Sequence, residues 1–224
     1  PMRCAYCHNP DTWSLTAGTL MDPEEIIKQV EQNRGFYKNG GITVTGGEPL
    51  LQVDFLIDLF TLAKERDIHT CIDTSGITYR PGNTAYIEKL DKLMTLTDLV
   101  MLDIKHIDPE KHKELTQQPN DGILAFVQYL SDKEIPMWIR HVVVPGITDD
   151  PKYLYQLGQF IAPFKNRKVL DILPYHTIGT VKYEKLEMDY KLKVVPAMDK
   201  SKAIELKKIV IDGVRDKRKE LGIL

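Results

Sequence analysis

Short apolar, β-branched runs alternate along the chain with longer segments of helical pattern. The runs predict strands at Ile42–Thr45, Ile68–Ile72, Leu99–Asp103, Met137–Val144 and Val169–Pro174. The intervening segments predict helices near Pro23–Tyr37, Leu51–Arg66, Tyr86–Thr95, Gly122–Asp132 and Pro151–Pro163, with a last one from Ser201 to about Glu220. Asp22-Pro23-Glu24-Glu25 offers an N-cap, a proline at the first helical position and acidic residues in the first turn, and Asp150-Pro151 repeats the device. Repeated strand-then-helix order implies parallel strands joined by right-handed crossovers. No linker, internal repeat or low-complexity stretch interrupts residues 1–224, which predicts one α/β domain. Five strands are too few to close an eight-stranded barrel, so the expected architecture is an open, partial parallel barrel.

Composition narrows the function classes. With 42% hydrophobic and 28% charged residues, the 224-residue chain has ample material for a core. A formal net charge of −2 points to neither nucleic acid nor an anionic membrane. No run approaches the roughly 18 apolar residues of a membrane span, and no charged, apolar-cored leader is visible. Cys4, Cys7 and Cys71 are too few for a disulfide framework, and their odd number argues against one, so a reduced, cytoplasmic compartment is expected. The charge run Arg215-Asp216-Lys217-Arg218-Lys219-Glu220 reads as the solvated face of the last helix.

The polar chemistry follows the strands. Gly46-Gly47-Glu48-Pro49 comes after the first, Asp73-Thr74-Ser75-Gly76 after the second, and Asp103-Ile104-Lys105 at the end of the third. Arg140 and His141 lie within the fourth, and Pro174-Tyr175-His176 closes the fifth. In parallel α/β architectures the carboxyl edge of the sheet is where ligands bind. Taken singly, each has a plainer reading. Gly46 and Gly47 suit a turn, Asp73 and Thr74 suit a cap, and Asp103 and Lys105, two apart on a strand end, suit an ion pair. His176 alone suits a structural histidine. Arg140 inside an apolar strand is harder to dismiss, because an unpaired buried guanidinium is costly. Five such groups on one edge predict an active site.

Cys4-x2-Cys7 followed by His8 matches, read literally, a c-type haem attachment pattern, but also half a zinc site, a thiol redox pair or the tail of an iron–sulfur loop. The missing leader argues against haem.

Cys4-Ala5-Tyr6-Cys7 resembles the last two cysteines of the C-x3-C-x2-C loop of radical S-adenosylmethionine enzymes, and Gly46-Gly47-Glu48-Pro49 resembles their glycine-rich motif. The resemblance is closer still to the glycyl-radical-enzyme activases of the pyruvate formate-lyase type. It is carried by Tyr6-Cys7-His8-Asn9, Asp11-Thr12-Trp13, His69-Thr70-Cys71, Asp73-Thr74 and Thr97–Asp103, then by Trp138-Ile139-Arg140, Val142–Gly146 and Leu173–His176. It implies a (β/α)6-type partial barrel, here lacking its first strand, with a [4Fe–4S] cluster and S-adenosylmethionine as cofactors. By resemblance, Cys4 and Cys7 hold the cluster, and Tyr6, Cys7 and His8 lie by the adenine. Gly46, Gly47 and Glu48 receive the methionine amino end. Asp103, Ile104 and Lys105 bind methionine and ribose groups, and His176 closes the other side. Asp73, Thr74, Met101 and Asp103 resemble a monovalent-cation site, and Arg140 a contact to the glycine loop of pyruvate formate-lyase. A low-potential donor such as flavodoxin is implied as the electron source. The family's first cysteine would fall immediately before Pro1, so the expectation is a chain given without its N-terminal piece. The alternatives are an activase of another glycyl radical enzyme, or a non-enzymatic metal or thiol module. The single further cysteine, Cys71, argues against the cysteine-rich insert that many other activases resemble.

Overall fold

The computed structural model describes residues 2–14, 16–38 and 40–223. Five strands, β1 (Gly41–Val44), β2 (His69–Thr74), β3 (Leu99–Asp103), β4 (Met137–Val143) and β5 (Arg167–Pro174), pair in sequence order. Every pair is parallel. Neighbouring strands stay neighbours in sequence, so the sheet curls in one direction and remains open between β1 and β5. The helices are α1 (Pro23–Gln32), α2 (Arg34–Tyr37), α3 (Val53–Lys64), α4 (Thr84–Thr95), α5 (Pro109–Thr116), α6 (Asp121–Asp132), α7 (Pro151–Ile161), α8 (Thr180–Lys185) and α9 (Lys200–Glu220). The helix expected over Pro23–Tyr37 breaks at Asn33, which caps α1 with a φ near −99° and starts α2. Ahead of α3, Pro49–Gln52 forms a single 3₁₀ turn. Two helices absent from the sequence prediction, α5 and α8, are short.

The main core fills the space between sheet and helices, with Ile72, Val100, Leu102, Met137 and Ile139 fully buried from the strands and Leu56, Phe60, Leu90 and Phe126 from the helices. Cys71 is buried as a free thiol, as its apolar surroundings lead one to expect. At the amino edge of the sheet, Asp98 accepts from the Thr70 N–H at 2.8 Å and from Lys64, fixing β2 against β3 on the side away from the site.

Helices α7 and α9 approach through glycines. A Cβ on Gly158 would stand 2.1 Å from the Val210 carbonyl oxygen, and one on Gly213 would stand 2.3 Å from that of Tyr155. Two members of the charge run expected to be purely solvated join this contact: Asp216 accepts from Tyr155 Oη at 3.2 Å, and Arg218 donates to the Ala162 carbonyl at 2.9 Å. The last turns of α9 fold back along α7, which a one-dimensional charge pattern does not register. Because backbone atoms cannot step aside as side chains do, Gly158→Ala and Gly213→Ala should each destabilise the protein by about 1–3 kcal/mol. Gly82→Ala, with open space around it, should stay within about 0.5 kcal/mol of the parent. Denaturant unfolding checks this, and equal midpoints for Gly158→Ala and Gly82→Ala would disprove the backbone contact.

Candidate functional site

A cavity of about 540 Å³ opens at the carboxyl edge of the sheet. This lies within the 300–1,000 Å³ typical of small-molecule and cofactor sites. Every strand contributes a wall residue at or just beyond its end: Thr45, Gly46 and Gly47 after β1, Asp73, Thr74 and Ser75 at β2, Asp103 and Lys105 at β3, Arg140 and Val142 on β4, and Leu173, Pro174 and His176 at β5. The remaining wall is the cysteine loop, including Cys4, Tyr6, Cys7, His8 and Trp13. Cys4-x2-Cys7 and the five strand ends, far apart in sequence, therefore face one space.

The floor carries a charge quartet. The Arg140 guanidinium donates to both oxygens of Asp73, through Nη1 at 3.0 Å and through Nη2, and its Nε donates to Asp103 Oδ1 at 2.9 Å. Lys105 Nζ donates to Asp103 Oδ2 at 2.7 Å. Parallel pairing sets Asp103 directly opposite Arg140, so the contact follows from register. Burial alone would push Asp103 up, but the Lys105 ammonium and the Arg140 guanidinium outweigh it and hold its carboxyl below the usual range. Asp73 is pushed up by burial, with the Asp103 carboxylate adding to it, in spite of Arg140 and the weaker pull of Lys105.

This geometry bears on the expected cation site. Arg140 already lies between Asp73 and Asp103, and the monovalent cation anticipated at Asp73, Thr74, Met101 and Asp103 would compete with a guanidinium for both carboxylates. Met101 does not line the cavity.

Glu48 and Ile104 also lie behind the wall and not in it. The Glu48 carboxylate is buried and fully engaged. One oxygen accepts from the Leu50 N–H at 3.2 Å and from Thr74 Oγ1, and the other accepts from Ser75 N–H at 3.2 Å and Ser75 Oγ at 2.6 Å. It caps the 3₁₀ turn and ties the glycine loop to the end of β2. Gly46 takes a φ of +156° with open space where a Cβ would stand, so the demand for glycine there is conformational. The Ile104 N–H donates to the Arg140 carbonyl, and its own carbonyl accepts from His141 Nδ1 at 2.8 Å.

The cysteine loop is held by segments from the middle and the last quarter of the chain. The Ala5 N–H donates to the Leu115 carbonyl on α5 at 2.9 Å. From the segment after β5, the His176 ring stacks on His8 with centroids 4.1 Å apart and planes 14° from parallel, and His8 Nε2 donates to the His176 carbonyl at 3.1 Å. Burial pushes His8 below the ordinary imidazole value, so the ring is neutral near pH 7. Lys182 on α8 donates to Asn9 Oδ1 at 2.7 Å and to Asp11 Oδ1 at 2.9 Å. Gly179 approaches so closely that a Cβ there would lie 2.9 Å from His8 Cα. Nothing in the linear sequence around Lys182 or Gly179 marks these contacts.

Burial pushes the Cys4 thiol up to about 11. Such a thiol ionises only against a nearby positive centre, which bound iron supplies. Among the described residues, no group of three or more His, Cys, Asp or Glu side chains is placed to hold a metal ion. The donor set among the described residues is thus two thiols, in a cavity that Arg3 also lines beside the charge quartet. Two cysteines of an iron–sulfur loop fit this wall; a complete zinc site does not.

A family model of the radical SAM superfamily matches residues 1–157. The pyruvate formate-lyase-activating enzyme of Listeria monocytogenes is 48% identical over 198 residues, covering 88% of this chain and 79% of that protein. Those of Streptococcus mutans and Clostridium pasteurianum are 46% and 42% identical, covering 93% and 92% of this chain and 80% and 84% of those proteins. Among solved structures, a domain of the pyruvate-formate lyase-activating enzyme from Bacteroides vulgatus aligns with a TM-score of 0.62 at 24% identity, over 78% of this chain and 94% of that one. Streptococcus suis SuiB bound to S-adenosylmethionine aligns at 0.68 and 16%, over 96% of this chain and 45% of that one. At these identities the structural matches speak for the open parallel barrel alone, while the sequence relatives speak for the family. The chain belongs to the radical SAM superfamily and, within it, to the pyruvate formate-lyase-activating enzymes.

Proposed function

We propose that this chain activates pyruvate formate-lyase by placing a glycyl radical on it, with the cavity at the sheet's carboxyl edge as the reaction chamber. The observation that carries the reading is that Cys4 and Cys7 share that cavity with the ends of all five strands. The family implies a [4Fe–4S] cluster and S-adenosylmethionine. Held by Cys4 and Cys7, the cluster would supply the one-electron chemistry that cleaves S-adenosylmethionine reductively, and the cofactor would supply the group that takes a hydrogen atom from a glycine.

The residue roles in this proposal are those the resemblance implies, and for the residues that line the cavity their place on its wall supports them. Cys4 and Cys7 hold two of the irons. The Tyr6–His8 backbone and the stacked His8 and His176 rings offer a flat surface to an adenine. Gly46 and Gly47 let backbone groups approach the methionine amino end, and Glu48 acts from behind by fixing their loop to Thr74 and Ser75. Lys105, held by Asp103, presents a cation to the methionine carboxylate, while Asp103 serves as acceptor for ribose hydroxyls. Ile104 contributes through its backbone, which spans Arg140 and His141. Arg140 stands where a partner's glycine loop would enter, with its guanidinium bound to Asp73 and Asp103. A low-potential donor such as flavodoxin supplies the electron.

Full-length protein reconstituted anaerobically with iron and sulfide should hold about four irons per chain and form 5′-deoxyadenosine on reduction with S-adenosylmethionine. Cys4→Ala and Cys7→Ala should lose both properties, and Cys71→Ala should keep both. Stoichiometric zinc without cleavage would instead identify a metal or thiol module.

Removing one charge-assisted hydrogen bond costs about 1.5–3 kcal/mol, roughly ten- to a hundredfold in an equilibrium. Lys105→Ala should therefore weaken S-adenosylmethionine binding by that factor with or without the partner. Arg140→Ala should abolish most of the glycyl-radical yield and, because Asp103 loses a partner, also weaken cofactor binding, though less than Lys105→Ala does. Arg140→Lys keeps the charge without the planar fork, so it should recover more affinity than radical yield. Cofactor titration beside spin counting by electron paramagnetic resonance reads both, and full radical yield in Arg140→Ala would remove this residue from partner recognition.

A further inference from the structure

Arginine and lysine side chains line the cavity at three places: Arg3, Lys105 and Arg140. Two of them are engaged. Arg140 donates from all of its side-chain nitrogens to Asp73 and Asp103, and Lys105 is bound to Asp103. Arg3 is not: among the described residues its guanidinium takes no ion pair and no hydrogen bond. It stands instead over the Trp13 ring, with Cζ 5.8 Å from the ring centroid.

The chain holds Arg3 in that place from both sides. Met2 and Cys4, each 8% exposed, pack with Ile123, whereas Arg3 between them is exposed and takes a φ of +48°. That left-handed conformation is uncommon for a residue with a long side chain and persists where the surroundings impose it. Burial of the residues on either side does so here, and it leaves the guanidinium at the mouth of the cavity. Trp13 is fixed in turn. Its ring meets Tyr183 edge-on at 6.0 Å, and Lys182 beside Tyr183 donates to Asn9 and Asp11 in the same turn. The adjoining rim is apolar: Ile178 and Val181 are 77% and 52% exposed, and Gly179 between them lies against His8 on the cavity wall. Arginine and tryptophan are the residue types enriched at the energetic centres of protein interfaces.

We propose that Arg3, braced on Trp13, is a partner-binding residue that donates from its guanidinium to main-chain carbonyls of the extended segment carrying the glycine of pyruvate formate-lyase. The inference rests on the function proposed above and adds to it the group that reads the partner at the mouth. A glycine has no side chain to be recognised, so the segment around it must be held through its backbone and its flanking residues. Where an extended peptide is bound, main-chain hydrogen bonds supply the affinity. A guanidinium has only donors, and when it stacks on a ring its N–H groups still point outward in its own plane, toward acceptors. Arg140, on the floor, has its nitrogens committed to carboxylates; Arg3 has them free.

The test counts glycyl radicals by electron paramagnetic resonance while the concentration of pyruvate formate-lyase is varied, using full-length, reconstituted protein. Arg3→Ala should raise KM for the lyase about tenfold, the loss of a hydrogen bond from a charged donor, with a far smaller change in S-adenosylmethionine affinity by titration. Arg3→Lys should recover little of this, because it keeps the charge without the planar fork. Trp13→Leu removes the platform and should raise KM in the same direction; it decides the matter should Arg3→Ala, next to Cys4, lose iron. An unchanged KM in the iron-loaded variants, full recovery in Arg3→Lys, or an equal loss of S-adenosylmethionine affinity in Arg3→Ala overturns the proposal. So does an Arg3→Ala effect that vanishes once acidic residues flanking the lyase glycine are neutralised, since the acceptor is then a carboxylate and not the main chain. Failure of the unsubstituted protein to place any radical on the lyase is a different result, and would refute the proposed function itself.

Discussion

The Arg140 guanidinium is the junction on which the site depends. It reaches from β4 to Asp73 on β2 and Asp103 on β3, and Asp103 passes the connection to Lys105. Two cations and two anions cancel, so the floor of a cavity that must accept a charged ligand carries no net charge. The side chains are only 14–20% exposed, so removing any one leaves an opposite charge largely cut off from water. In complete burial such a loss costs about 3–5 kcal/mol. The same contacts fix the relative heights of three strand ends, so electrostatic balance and barrel geometry are one constraint. Under the proposed function Arg140 serves both the partner and the cofactor floor, so the two halves of that function are not fully separable by substitution.

The wall around that floor is asymmetric. Charged groups paired with each other form one part of it, while Tyr6 of the cysteine loop, whose ring lies 5.5 Å from Lys105 Nζ, belongs to a cluster of tyrosines packed with Leu115, Val144 and Leu192. Burial raises the Cys4 thiol against the opposing pull of the Lys105 ammonium, and a neutral thiol is slower to react with stray electrophiles than a thiolate.

Much of this was legible in the sequence, for reasons particular to parallel sheets. β2 and β3 are largely apolar runs that end in a polar group, and there the polarity change marks both the strand end and the ligand edge at once. Asp103 and Lys105, two residues apart, could be placed on one side and paired before any coordinates. What could not be read were contacts whose partners lie far apart in the chain. Glu48 looks like a ligand-facing acid beside two glycines, and only Thr74 and Ser75, more than twenty residues on, make it a capped and saturated carboxylate. Helix α5 escaped notice although Asp108-Pro109-Glu110 repeats the capping device of α1, because its few apolar residues give almost no periodic signal. Asp216 and Arg218 read as solvent-facing until α9 is laid on α7 through Gly158 and Gly213. Tyr183 gave no local signal at all.

The fastening of the cysteine loop by Lys182 spans 171 residues to Asp11. During synthesis the thiols therefore emerge well before the segment from His176 to Lys182 that holds their loop. Until that segment is made, His8 has no ring to stack on, and Asn9 and Asp11 have no lysine to hold them. The order of synthesis separates the making of the thiol pair from the fastening of its loop.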